Sequence, residues 1–396
     1  MSDEFTASTR TASADLPSLE TMMRIRPTSR HLRAASAASL TALAVLAAGC
    51  GADDSGTSGT SDTGAAAQTA GEKPFIALSN GFIGNGWRQT MIAKFEEAAG
   101  KAQADGLISK YKVVNAPGEN SATEQVAQIK SLLLQKPDAL LIDPASPTAL
   151  KPVIQQACSA GVTVVVFDSA IDSECAYVLQ NSFVDWATYA AKPLLEGIGG
   201  KGNVIVSRGV VGSQPEAEML ETTKKILGEY PGVKTVATVN GMCDGATAQK
   251  AVLGVLSSVP KVDGVVGCGD GYGVAQAFTT AGKPVPAVTF ETNGRALSYW
   301  KDNKIDNGSV AVMSDPGQSV AALWQALDLL EKRDIPKQMT FPIVLVEQKD
   351  RDTWASILKP DEYAAWPWTR ELFREQVKAV QTGGAPVQPP IPTAAG

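Results

Sequence analysis

Two doubly wound α/β lobes are what this 396-residue sequence predicts, and three observations lead there. From Pro74 onward, short apolar runs alternate with helical periods, the signature of βαβ units. Several runs are apolar throughout, as strands buried on both faces of a parallel sheet are. The alternation then restarts near residue 180, so two sheets fit the roughly 310 residues between the chain's polar ends better than one giant sheet.

Taken in order, Phe75–Ser79 is a short apolar strand and Trp87–Ala104 a helix. Tyr111–Asn115 is a strand, and Ser121–Leu134 a helix with Val126, Ile129, Leu132 and Leu133 on one face. The strand Ala139–Ile142, the helix Leu150–Ala160 and the almost wholly apolar strand Val162–Phe167 complete the first set. The second set opens with a helix at Ala187–Glu196 and a strand at Asn203–Ser207. Helices at Glu216–Leu227, Thr247–Leu256 and Val274–Thr280 alternate with strands at Val233–Val239, Gly264–Gly267 and Val288–Phe290. Val310–Met313, Ser319–Leu330 and Ile343–Val346 add a strand, a helix and a late strand. The expected lobes are residues 74–179 with 310–340, and residues 181–308, joined by three chain crossings. Residues 341–382 form a C-terminal extension, and the Pro-, Gly- and Ala-rich tail 383–396 is expected to be disordered.

Ahead of the lobes, residues 1–49 read as an export signal. Arg24, Arg26, Arg30 and Arg33 precede an apolar stretch from Ala34 to Ala48, too short to span a bilayer. Residues 1–21 do not read as part of a signal, and Met22-Met23 directly before the basic run mark the expected start of translation. The stretch ends in Leu46-Ala-Ala-Gly-Cys50, which resembles a bacterial lipobox with the large aliphatic one step early, so Cys50 is the expected lipidation site. The rest of 50–73 is small and polar and reads as a flexible tether. Without residues 1–49 the chain keeps 30 basic and 37 acidic residues, a net charge of −7, which argues against a nucleic-acid partner. The only histidine, His31, lies in the signal, so His-based triads and His metal sites are excluded. No catalytic residue, metal site or cofactor is expected.

In doubly wound sheets ligands bind outside the carboxyl ends of the strands. Here those ends carry Asn80, Asp143, Asp168, Ser207-Arg208, Asn240, Asp270 and Glu291, with Trp87, Phe167, Tyr272 and Phe290 nearby. Carboxylates and amides among flat rings suit a polyhydroxylated ligand, whose C–H faces stack while its hydroxyls pair. The glycines at 267, 269, 271 and 273 do not complete a dinucleotide loop and read as a tight strand-to-helix turn.

Four stretches resemble the ribose/galactose-type substrate-binding proteins of ABC importers, which have the type I periplasmic-binding-protein fold. They are Ile76–Asn80 leading to Gly84-Asn-Gly-Trp-Arg88, Pro137–Ser146 followed by Ala160–Asp168, Val262–Asp270, and Val288-Thr-Phe-Glu291. The resemblance implies an extracytoplasmic, monomeric receptor that takes a sugar or polyol to an ABC permease and its ATPase, held at the membrane by its lipid anchor. A ligand sensor signalling to a membrane kinase or receptor is the alternative it leaves. Carried over by position, it implies ligand contacts from Asn85, Trp87, Arg88, Asp168, Asp270, Glu291 and Asp315. It also marks departures: Ser169 stands where an Arg is frequent, Ala217 lies near another such place, and Gly269-Asp270 replaces Asn-Asp.

With Cys50 set aside, Cys158, Cys175, Cys243 and Cys268 remain, and four cysteines allow three pairings. Cys158–Cys175 would pin the loop bearing Asp168. Cys243 and Cys268 follow strands joined by one helix, hence parallel neighbours about 4.8 Å apart, and their common edge predicts the second bridge.

Overall fold

The computed structural model describes residues 72–392, except 118, 119, 306, 342, 347 and 385. The expected signal, Cys50 and nearly all of the tether lie outside the described residues.

The first sheet holds β1 (Phe75–Asn80), β2 (Lys110–Asn115), β3 (Ala139–Asp143), β4 (Thr163–Asp168), β5 (Tyr177–Asn181) and β11 (Gln338–Phe341), in the order β11-β5-β4-β3-β1-β2. Every pair in it is parallel. Its central strands β1 and β3 are buried at every residue, which is why their sequences carry no polar alternation. The second sheet holds β6 (Lys201–Arg208), β7 (Gly232–Asn240), β8 (Gly264–Val266), β9 (Ala287–Phe290), β10 (Val310–Met313) and β12 (Val344–Val346), in the order β12-β10-β9-β8-β6-β7. There only the edge strand β12 is antiparallel, against β10.

Helices cover both sheets. In the first lobe these are α1 (Gly86–Ala104), α2 (Ala122–Leu133) and α3 (Lys151–Ser159). In the second they are α4 (Phe183–Gly197), α5 (Gln214–Glu229), α6 (Gly245–Val255), α7 (Gly271–Thr280) and α8 (Gly294–Asp302). Side-chain oxygens cap most of their starts: Asn85, Ser121, Ser182, Ser213, Asp244 and Asn293 each accept an N–H from the first turn. Gly273 serves a close approach rather than a dinucleotide loop. A Cβ there would lie 1.7 Å from the carbonyl oxygen of Gly245, so the starts of α6 and α7 cross in near contact.

The chain passes from the first lobe to the second at Ser182, between β5 and α4. The return corrects the expected lobe boundary. Val310–Met313 pairs with β9 and β12, in the second sheet and not the first. The run Val-Ala-Val-Met is buried throughout and fits either sheet; the parallel β9-α8-β10 unit decides, because sequential parallel strands pair as neighbours. The crossing back falls at Ser314–Gly317, after which α9 (Gln318–Leu330) packs on α1, β3 and β4, and β11 extends the first sheet. A third crossing leads to β12 and to α10 (Gln348–Ile357), which lies against α8.

A fourth crossing, absent from the sequence expectation, follows α10. Residues 358–369 return to the first lobe, where α11 (Arg370–Thr382) packs on α9. Arg370 and Arg374 there converge on Asp328, which is fully buried. The tail beyond Gly383 is also corrected over its described part. Val387 N–H donates to Gln376 Oε1 at 2.7 Å, Pro389 is buried, and Ile391 packs against the core.

Both expected disulfides are present, Cys158–Cys175 with Cα atoms 6.2 Å apart and Cys243–Cys268 with 5.2 Å. The first closes a loop with a sequence separation of 17, so converting both its cysteines to alanine should cost about 3 kcal/mol in the chain-entropy description. Urea unfolding measures this, and an unchanged midpoint would refute it.

Candidate functional site

A cleft with about 710 Å3 of empty space, counting the solvent at its mouth, lies between the carboxyl ends of the two sheets. Its first-lobe wall is built around Arg88. Asn85 ends the loop after β1 and caps α1, its Oδ1 accepting Arg88 N–H at 2.9 Å. This cap points the next turn, Trp87 and Arg88, into the cleft. Trp87 Nε1 donates to Ser314 O at 2.6 Å, fixing the ring against the second crossing. The Arg88 guanidinium is buried. It donates to Asn80 Oδ1 at 2.9 Å, pairs with Asp143 in close contact, and lies 3.7 Å from Asp168 Oδ2.

Asp168 ends β4 with φ of 67°, a left-handed conformation unusual for a residue with a side chain. Its Oδ1 accepts Asn181 Nδ2 at 3.0 Å and Gln318 Nε2 at 3.1 Å. Asn181 also donates to Gln318 Oε1 at 3.1 Å. Asn181 ends β5 and Gln318 begins α9, so the carboxylate is held by the two crossing segments themselves. Burial pushes the Asp168 and Asp143 carboxyls up, while the Arg88 charge pulls both down.

The second-lobe wall is different in kind. Glu291, at the end of β9, is buried with Oε2 accepting Tyr272 N–H at 2.8 Å, and burial without a cation pushes it up to about 8. Beside it the lining is mostly apolar: Phe183 and Trp186 of α4, Val210, Pro215, Met219 of α5, Val312 and the Cys243–Cys268 bridge. Ser213 is present, but its hydroxyl donates to Val210 O and caps α5. Tyr363, from the fourth crossing, closes one side.

The structure thus brings Asn85, Trp87, Arg88, Asp168 and Glu291 to one cleft. Two other expected ligand contacts have their oxygens turned to the protein. Asp270 is buried, its Oδ2 accepting Ser207 Oγ at 2.5 Å, and burial raises it to about 7. Asp315 accepts Gly317 N–H, Trp366 N–H and Trp368 Nε1–H, tying the fourth crossing to the hinge. Neither belongs to the cleft lining. Phe167 and Phe290 are core residues, wholly buried. Sequence reasoning missed Phe183, Trp186, Met219, Ser314 and Tyr363. The aromatic run Tyr363-Ala-Ala-Trp-Pro-Trp368, in a segment with no assigned element, was the available signal for the last.

Residues 76–334 match the family model described as periplasmic binding protein domain. The chain belongs to the periplasmic binding protein family. This periplasmic binding protein is 28% identical over 202 residues to the xylitol-binding protein of Mycolicibacterium smegmatis, covering 48% of this chain and 58% of that one, somewhat over half the relative's length. It is 25% identical over 242 residues to the ribose import binding protein of Bacillus subtilis, 60% of this chain and 78% of that one. The crystal structure of an ABC transporter solute binding protein from Thermobispora bispora is 88% identical, with a TM-score of 0.80, over 81% of this chain and 99% of that one. A D-allose-bound solute binding protein from Actinobacillus succinogenes shares the fold, at 24% identity and a TM-score of 0.63 over 71% of this chain and 99% of that one. Members of this family are substrate-binding proteins, not enzymes. Periplasmic binding proteins work outside the cytoplasm. Among the described residues no helix is long and apolar enough to cross a membrane.

Proposed function

We propose that this protein is the receptor of an ABC importer, capturing a small uncharged sugar or polyol between its lobes and delivering it to a membrane permease. The observation that carries this reading is the Arg88–Asp168–Asn181–Gln318 network. It sets a charged, oriented pair at the cleft exactly where the chain crosses between lobes. A ligand hydroxyl bridging Arg88 and Asp168 stabilises the hinge geometry that these crossings define, which couples binding to closure. Cys50 as a lipid anchor and residues 51–73 as a tether fit delivery to a neighbouring permease; a basic leader ending in a lipobox-like sequence supports them.

A thermal-shift screen over sugars, polyols and amino acids tests the reading. A ligand present at 100 times its Kd should add about 2.7 kcal/mol. The Asp168→Ala variant should bind that ligand about 30-fold or more weaker, because ligand hydroxyls lose a charged, desolvated partner. Wild-type affinity in this variant would remove Asp168 from the site, and stabilisation by amino acids alone would remove the sugar assignment.

A further inference from the structure

We infer that the ligand of this cleft is partly deoxygenated or O-alkylated, with an apolar group seated on the second lobe and its hydroxyls turned to the first. The inference rests on the sugar-receptor reading and deepens it.

The two walls of the cleft differ in what they offer. The first presents Asn85, Arg88 and Asp168 around one polar network. The second presents, beside Glu291 and Thr292, an apolar patch of Trp186, Val210, Met219, Val312 and the Cys243–Cys268 bridge. Trp186 and Val312 belong to a packed apolar cluster that Met219 and Cys268 extend towards the cleft. Met219 and both sulfurs meet around Gly209, where a Cβ would fall 3.1 Å from Cys243 Sγ, 3.5 Å from Met219 Cε and 3.6 Å from Cys268 Sγ. No side chain fills that point, so thioether and disulfide form one continuous soft surface. The nearby cation gives no help to a hydroxyl here. Arg208 Nε donates to Glu216 Oε1 at 2.7 Å, and both line not the cleft but a small adjoining cavity that shares Trp186, Met219 and Cys268 with it.

A hydroxyl pressed on this wall gives up water without gaining a partner, and an unmade buried hydrogen bond is costly. A methyl or methylene in the same place gains contact with polarisable sulfur and the Trp186 ring. Charge sets a second limit. Arg88 is already matched by Asp143 and Asp168, and Glu291 adds a further carboxyl, so among the described residues the cleft lining has no cation to spare for an acidic ligand.

Isothermal titration of the purified protein with matched pairs decides the matter. Suitable pairs are L-fucose against L-galactose, L-rhamnose against L-mannose, methyl β-D-ribofuranoside against D-ribose, and an O-methyl inositol against myo-inositol. In each pair that binds, the deoxy or O-methyl member should bind about tenfold tighter or more. Met219→Gln, a half-buried position that places polar atoms on the wall, should reduce that preference to about threefold or less. Parents that bind as tightly as their partners overturn the inference and leave the sugar reading standing. A preference unchanged in Met219→Gln overturns the assignment of this wall. A panel in which no member of any pair binds overturns both the inference and the sugar reading.

Discussion

Replacing Arg88 with methionine should cost about 3–5 kcal/mol of folding stability at pH 7.5, because it leaves buried carboxylates without their cation. Methionine is unbranched and fills much of the same volume, so the loss is electrostatic more than steric. Asp143 is fully buried and Asp168 nearly so, and Arg88 is the only charge pulling their carboxyls towards the ionised form. Without it, burial dominates, opposed at Asp168 only by the hydrogen bonds from Gln318 and Asn181, and the carboxyls take up protons in the folded state. A folded-state pKa raised above the ordinary 3.8 gives stability that is fully present below that value and is lost as pH rises through the folded pKa. Burial already raises Asp143 to about 8 beside Arg88, so wild type and variant should both lose stability as pH rises from about 4 towards 8. The variant's deficit should be largest above about pH 8, where only the wild type pairs the ionised carboxyl, and should shrink in acid. Urea unfolding at a series of pH values measures both effects. A deficit under about 1 kcal/mol at pH 7.5, or one flat with pH, would show that Arg88 does not hold this cluster.

The residues of this cluster were legible in sequence for a physical reason. A strand buried on both faces must stay apolar until it leaves the sheet, so the first polar residue after such a run marks the carboxyl edge. Asp143 after Leu-Leu-Ile and Asp168 after Val-Val-Val-Phe are of this kind. Arg88 came from the family resemblance, and the structure supplies the physical reason: the capping Asn85 fixes the helix start and thus the face of the next turn. The same logic overreached at Asp270, and the carry-over from the family did so at Asp315. A polar residue at a strand end can face the ligand or the protein, and sequence does not say which. Asp270 faces Ser207, and Asp315 faces the fourth crossing.

The lobe of Val310–Met313 was illegible for another reason. A four-residue apolar strand has no preference for one sheet over another, and its place follows from long-range pairing with Thr289 and Phe290. The second-lobe wall was hidden because Phe183, Trp186 and Met219 sit at core-like positions of amphipathic helices. Only the assembled structure shows that part of that core faces the cleft. The Cys243–Cys268 bridge, by contrast, followed from topology, since one helix between two strands places their ends side by side.

The Asp315→Ala variant should lose about 3–5 kcal/mol, with the damage concentrated in the fourth crossing. Asp315 is buried and accepts three N–H groups, from Gly317 at 2.8 Å, Trp366 at 2.9 Å and the Trp368 indole at 2.7 Å. Alanine leaves all three donors buried, at about 1–3 kcal/mol for each that finds no new acceptor. The crossing has other ties. Ala364 N–H donates to Thr292 O and Tyr363 N–H to Thr90 Oγ1, one on each lobe, so the segment should loosen and not detach. Because that segment carries Tyr363 into the cleft, ligand affinity should fall as well. Burial raises Asp315 to about 6 against these hydrogen bonds, so its titration favours the folded state below about pH 4 and loses that contribution as pH rises through about 6. The alanine variant should lack this part of the pH dependence. Asp315→Asn, which keeps one acceptor oxygen, should lie between wild type and alanine. Urea unfolding gives the energies, and a red shift of tryptophan emission with faster proteolysis between α10 and α11 locates the loosening. An alanine variant with wild-type stability and an unmoved emission spectrum would show that the fourth crossing is held elsewhere.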